Sequence, residues 1–452
     1  MTRGNFTEGK ILGLLLTFAL PVLLALLLQS LYGAVDLMIV GQYATSADVS
    51  AVSTGAQTLM MITGVIAGLA MGTTILLGQQ IGEGNGKQAG NTVGASIVFF
   101  FGFAVILSII MSLGTRGIAS LLNAPEEAYE GTCAYMLICS LGLVFITAYN
   151  LLGSLFRGIG NSRIPLLSVA IAAVVNIFGD LFLVKGMGLG AAGAAMATVF
   201  SQAVSVLLSL LLIRRIPLPF SFQKSNIRFK RKITGKIIQF GFPIAFADLL
   251  VGISFMIILA IVNSLGLIAS AGVGVAEKVC AFVMLMPSAF GQSMAAFVAQ
   301  NYGAGKMDRA NKALLYGISV SLSFGVVMAY LSYFHGDLLC SIFSKDPQVV
   351  SAGWEYLKAY AIDCMLVSIF FCYTGYFNGC GYTKFVMAQS IIGAFGVRVP
   401  FSYFMSKQVP VSLFKVGLAT PASSFVQAVL CILYMVFVVR KRISSVQDLS
   451  SR

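Results

Sequence analysis

The chain has 452 residues, 58% of them apolar and only 10% charged, with a mean hydropathy of +0.92. Soluble domains run near ~25% charged residues, so this composition excludes a water-soluble protein and reads as a polytopic membrane protein. The net charge of +13 does not mark a nucleic-acid binder, because its placement follows a membrane topology instead.

A spanning helix needs about 20 mainly apolar residues. Twelve such windows start near Ile11, Val49, Thr92, Thr132, Ile164, Leu189, Ile237, Ala269, Ala313, Tyr356, Val386 and Val411. The first is no secretory leader: it runs to Asp36 and carries no A-x-A cleavage pattern. With the N-terminus inside, the inner segments hold 21 of the 29 Lys and Arg. The outer loops hold Arg116, Lys185, Lys345, Lys358, Lys407 and Lys415, while Lys278 and Arg398 fall within spans. This is the positive-inside asymmetry, and it places both termini in the cytoplasm. The eight cysteines sit mostly in apolar runs without a C-x-x-C, so they read as small core hydrophobes, not as disulfides or zinc ligands. The single His335 has no neighbouring ligand pattern.

Taken in order, the spans repeat. Phe18-Ala19-Leu20-Pro21 opens the first, and Phe240-Gly241-Phe242-Pro243 opens the seventh. Gln79-Gln80-Ile81-Gly82-Glu83-Gly84 follows the second, and Gln300-Asn301-Tyr302-Gly303-Ala304-Gly305 follows the eighth. Gly153 to Gly160 leaves the fourth, and Gly375 to Gly381 leaves the tenth. The offset stays at 221 or 222 residues. Six spans return the chain to its starting side, so the halves share one orientation and imply a pseudo-two-fold axis along the membrane normal. The expected organisation is an N-terminal six-helix lobe over 1–213, a basic cytoplasmic linker over 214–236, a C-terminal six-helix lobe over 237–440 and a cytoplasmic tail over 441–452. The linker holds eight Lys/Arg with Pro217 and Pro219, and suits anionic headgroups.

No nucleotide engine is expected. Gly188-Leu189-Gly190-Ala191-Ala192-Gly193 formally matches G-x-G-x-x-G, but no strand precedes it and a span follows. Gly82 to Lys87 lacks the first glycine of a Walker loop, and Gln88 stands where Ser or Thr should. The small residues fit close helix approach instead. No cofactor is expected, and energy comes from an ion gradient or from none.

Five carboxylates fall within spans: Asp36, Asp180, Asp248, Glu277 and Asp363. A charge at mid-membrane costs roughly 2.5–3.5 kcal/mol on insertion scales, so such acids are functional candidates. The blander reading is a helix–helix hydrogen bond. Asn176 and Asp180 are four apart on span five and share a face. With Asp36 on span one, Asn150 on span four and Thr198 on span six, they make an oxygen-rich pocket if they converge. Two acids in low dielectric cannot both ionise cheaply, which suits a proton relay; the same oxygens suit Na⁺. The second half carries Asp248, Glu277 and Asp363, with Arg398 and Lys278 as candidate partners. At an offset of 221, Val397 and Phe401 stand opposite Asn176 and Asp180, so the halves do not share the N-terminal site.

The chain resembles the multidrug and toxic compound extrusion (MATE) family over nearly its whole length. The resemblance rests on Ala19-Leu20-Pro21 before a helix ending with Asp36, Gln79 to Gly84, Phe156 to Asn161, Asn176 with Asp180, and Gly190 to Thr198. It implies an all-α polytopic membrane protein with twelve transmembrane helices in two six-helix lobes around a V-shaped cavity. It also implies export of amphipathic organic cations against H⁺ or Na⁺ by alternating access. Asp36, Asn150, Asn176, Asp180 and Thr198 match the family's N-lobe cation pattern, and Pro21 matches its proposed hinge. Asp363 resembles a C-lobe acid of helix ten, whereas Asp248 lies a few positions early for its partner and Glu277 is on span eight. Together with Arg398 they form a candidate C-lobe substrate or ion site. The expected protein is no enzyme and has no catalytic residues. It works as a monomer in the cell (inner) membrane, with small-molecule cations and lipid as its partners. A lipid or lipid-linked precursor flippase of a related fold is the alternative, and it would want a more basic cavity. A membrane enzyme would need a catalytic cluster, and one histidine argues against it.

Overall fold

The computed structural model describes residues 5–214 and 217–439; the expected tail over 441–452 lies outside them. All regular structure among the described residues is helical. In hydrocarbon each backbone N–H and C=O must be satisfied within the chain, and a helix does this within one segment. Eleven of the described helices are long and apolar enough to cross a membrane, and a bent pair makes a twelfth span. That pair is α4 (Glu126–Leu141) and α5 (Leu143–Gly158), bent by 54° at Gly142, where any Cβ would run into Val199.

By packing, the chain divides into two units, Met1–Ala245 with Ala299–Arg309, and Phe246–Val298 with Ala310–Arg452. The division by repeat cuts elsewhere, in the linker expected over 214–236.

The first unit holds α1 (Ile11–Tyr43), α2 (Ser46–Gly82), α3 (Gly86–Leu121), α4, α5, α6 (Arg163–Asp180) and α7 (Gly190–Ile213). Pro21 lies inside α1, which runs unbroken past it. Its ring removes one donor from the helix ladder. Beyond Asp180, α6 continues as a wider π-helical turn over Leu181–Gly186. The unit's core gathers Leu76, Leu77, Phe100, Leu155 and Phe156, and a second cluster gathers Val40, Val52, Tyr135 and Ala194.

Two helix starts are tied by one carboxylate. Thr45 and Asp48 form a reciprocal capping box at the start of α2, and Asp48 Oδ1 also accepts from the Ala191 amide of α7 at 2.9 Å. Gly190 has φ +51°, and a Cβ there would collide with the Asp48 carboxylate. Gly190→Ala is therefore expected to cost about 2–5 kcal/mol, from backbone strain and overpacking together. Gly188, with φ +67° and open space around it, supplies the control: its alanine variant should carry only the backbone cost of about 1–2 kcal/mol. Thermal melts of the two variants check this, and equal losses would refute the Asp48 contact.

The second repeat's glycine motif also packs in this unit. The Gln79 carbonyl stands where a Cβ on Gly303 would be, and the Gln300 carbonyl stands where one on Gly82 would be. The contact is reciprocal, as a two-fold relation between the motifs requires. The segment before α1 is strapped alongside. Phe6 is 3% exposed, its amide donates to Gln300 Oε1 at 3.1 Å, and its carbonyl accepts from Asn301 and Arg309.

The second unit holds most of α8 (Arg231–Asn263), α9 (Leu267–Val283), most of α10 (Leu285–Gly303) and α11 (Met307–Phe334). The short α12 (Gly336–Ser341) and the long α13 (Pro347–Gly379) follow. After α14 (Thr383–Ile391) comes a π-helical turn over Ile392–Arg398, then α15 (Val399–Ser406), α16 (Leu413–Gly417) and α17 (Ala419–Tyr434). The unit's core is built on Val273, Val279, Cys280, Tyr356, Tyr360 and Val416. All eight cysteines are free and buried.

Candidate functional site

In the first unit, α1 and α6 bring two acids together. Asp36 is 7% exposed and Asp180 is fully buried, and their carboxyl groups lie within interaction range. Neither oxygen of Asp180 has a hydrogen-bond donor, and nor does Oδ1 of Asp36. One turn before Asp180, Asn176 is buried with both amide atoms unpartnered. Ionised carboxylates only accept, so two of them facing each other leave a site that a proton or a small cation would complete. Asp180 is the last α-helical residue before the wider turn, a local geometry that recurs at functional sites. The helix reaches this point from a start capped by Asn161 Oδ1, which accepts from the Arg163 amide at 3.1 Å.

The remaining expected members are less directly engaged. The Asn150 amide donates to the Ile146 carbonyl of its own helix at 2.8 Å. Thr198 is half-buried on α7. Two residues that the sequence reading passed over stand close instead. Tyr135 and Cys139 on α4 are buried within electrostatic range of Asp36, and Tyr135 also of Asp180. The tyrosine ring is packed against Gly55, where a Cβ would clash. A tyrosine deep in an apolar window needs a partner for its hydroxyl, and that was the available signal.

In the second unit, Asp363 is 1% exposed on α13 and Arg398 is 5% exposed at the end of the π-helical turn. Glu277 is half-buried on α9, with Oε1 buried and unpartnered. All three lie within electrostatic range of Tyr356. Asp248 is not among them and is exposed on α8, as Lys278 is on α9. No group of three or more His, Cys, Asp or Glu suited to a metal ion occurs among the described residues.

A family model described as MatE matches residues 21–182 and 243–404, together more than half of the chain. The probable multidrug resistance protein YoeA of Bacillus subtilis (strain 168) is 26% identical over 432 residues, covering 94% of this chain and 93% of that protein. A protein of Shewanella oneidensis named as an FAD transporter is 28% identical over 366 residues, covering 80% of this chain and 79% of its own length. Among solved structures, the outward-facing conformation of a multidrug resistance MATE family transporter of the MOP superfamily superposes with a TM-score of 0.91 at 20% identity, covering 99% of each chain. That likeness carries the fold.

Proposed function

The chain belongs to the MatE family of multidrug-efflux transporters, and from that premise we propose that it is a cation-coupled antiporter exporting amphipathic organic cations by alternating access. One observation carries the reading: the facing carboxyls of Asp36 and Asp180, buried and with no donor to either oxygen of Asp180 or to Oδ1 of Asp36. H⁺ or Na⁺ bound there serves as the coupling ion, with Asn176, Asn150 and Thr198 as the surrounding oxygens and Pro21 as the hinge of α1. Filling the site removes one of the pair's two negative charges and biases α1 toward a second arrangement in which substrate binds less tightly. One charge crossing about 100 mV supplies about 2.3 kcal/mol, worth a substrate gradient of about fifty-fold, so export needs no ATP. The two repeats form six-helix lobes over 1–213 and 237–440, and the chain works as a monomer in the cell membrane with both termini cytoplasmic.

Inside-out vesicles loaded by transport of ethidium test this, with a pH gradient and a Na⁺ gradient imposed separately. Uptake under one gradient, and none without either, is the expected result. The name of the Shewanella relative points to a dinucleotide anion, so FAD belongs in a parallel arm. Uptake of FAD without ethidium would overturn the cation reading, as would silence of ethidium under both gradients.

A further inference from the structure

The coupling site above leaves a second buried polar centre unused. Arg398 Nη1 donates to Ser254 Oγ at 3.2 Å, the guanidinium lies over the Phe255 ring at 4.3 Å, and Asp363 is within electrostatic range. Ser424 stands in hydrogen-bonding reach of Asp363, whose Oδ1 has no partner. A guanidinium keeps its proton in a protein, so this charge is permanent and the acids nearby are what balances it. A charge of either sign left alone at this depth would be costly.

The two π-helical turns change the register between the halves. From Gln79 and Gln300 to Gly160 and Gly381 the offset is 221, which sets Val397 and Phe401 against Asn176 and Asp180. In the second half the wider turn runs over Ile392–Arg398, whereas in the first it begins only after Asp180. A π-helical turn accommodates an extra residue, so the register advances by one, to 222. Arg398 then stands opposite Asn176, and Ser402 opposite Asp180. Burial agrees: Arg398 and Ser402 are buried like Asn176 and Asp180, while Val397 and Phe401 are only half-buried. Phe182 and Phe404 fall into register too, each 66% exposed. The earlier pairing with Val397 and Phe401 is thus displaced by one residue.

We propose that Arg398 is a tethered cation: its guanidinium holds, in the second half, the place an exchangeable ion takes in the first, and keeps Asp363 from binding Na⁺. This rests on the reading of Asp36 and Asp180 as the coupling site. It makes the protein a carrier with one exchangeable site, and it assigns Ser254 and Phe255 the role of positioning the guanidinium.

Thermal melts in NaCl against choline chloride test it, in an Asp36→Asn/Asp180→Asn parent that has lost the first site. The parent should show no Na⁺-specific shift. Adding Arg398→Asn, which copies the residue of the first half, should produce a saturable Na⁺-specific rise of a few degrees, and adding Asp363→Asn should remove it. A folded Arg398→Asn variant without the rise overturns the proposal. So does a parent whose melting already responds to Na⁺ through Asp363; that comparison needs no change at Arg398 and decides the matter if Arg398→Asn does not fold. Failure of the first-half reading is seen separately, as a wild-type chain whose transport follows neither imposed gradient.

Discussion

Asp36→Asn should leave the protein folded and abolish ion-driven export. The substitution is nearly isosteric, and the new amide can donate to Asp180, whose two oxygens have no donor in the native chain. Two like charges held together in a low dielectric oppose folding, so removing one leaves the melting temperature unchanged or higher. Transport behaves oppositely. The bound ion is what links efflux to the gradient, so a variant that cannot take it up should show no ethidium efflux above that of cells without the transporter. Asp180→Asn should do the same. The double variant should do little further harm, because both carboxyls belong to one site. Melting of the purified protein and efflux from a drug-hypersensitive strain report the two effects separately. Normal efflux by either single variant would falsify the assignment.

Much of this was legible before any coordinates. Apolar windows of spanning length announce helices because the bilayer allows few alternatives, and the acids stood out because lipid makes them expensive. Asn176 and Asp180 share a face at a spacing of four, so half of the site could be read from one helix. Asp36 could be joined to them only by resemblance, since sequence spacing says nothing about which helices touch. Tyr135 and Cys139 could not be joined to the acids for that reason, although a tyrosine deep in an apolar window already asks for a partner. The π-helical turns were missed for another: they differ from α-helix by one residue in a turn and leave no compositional mark, yet that residue moves Arg398 into register with Asn176. The organisation around Gln79 and Gln300 was half legible. The repeat identified both motifs, but that they pack on each other came only with the fold.

Gly303→Ala tests that packing. The atoms it would meet are the carbonyl and Cα of Gln79, helix backbone that cannot swing aside as a side chain could. Overpacking of this kind costs about 1–3 kcal/mol, and Gly82→Ala should cost a similar amount against the Gln300 carbonyl. The informative measurement is the double variant. Once one methyl has forced the two helix ends apart, the second finds its space already open, so the combined loss in melting temperature should fall well short of the sum. Gly64 on α2, with nothing near its missing Cβ, is the control, and its alanine variant should be neutral or slightly stabilising. The contact also bears on transport. Its two motifs come from the two repeats, and alternating access as proposed requires them to part on this face. A cost of about 1–3 kcal/mol confined to the closed contact shifts the balance toward the parted arrangement by ~5–150-fold. Additive losses in the melts would mean that the two glycines act independently, and the reciprocal contact would then have no part in the cycle.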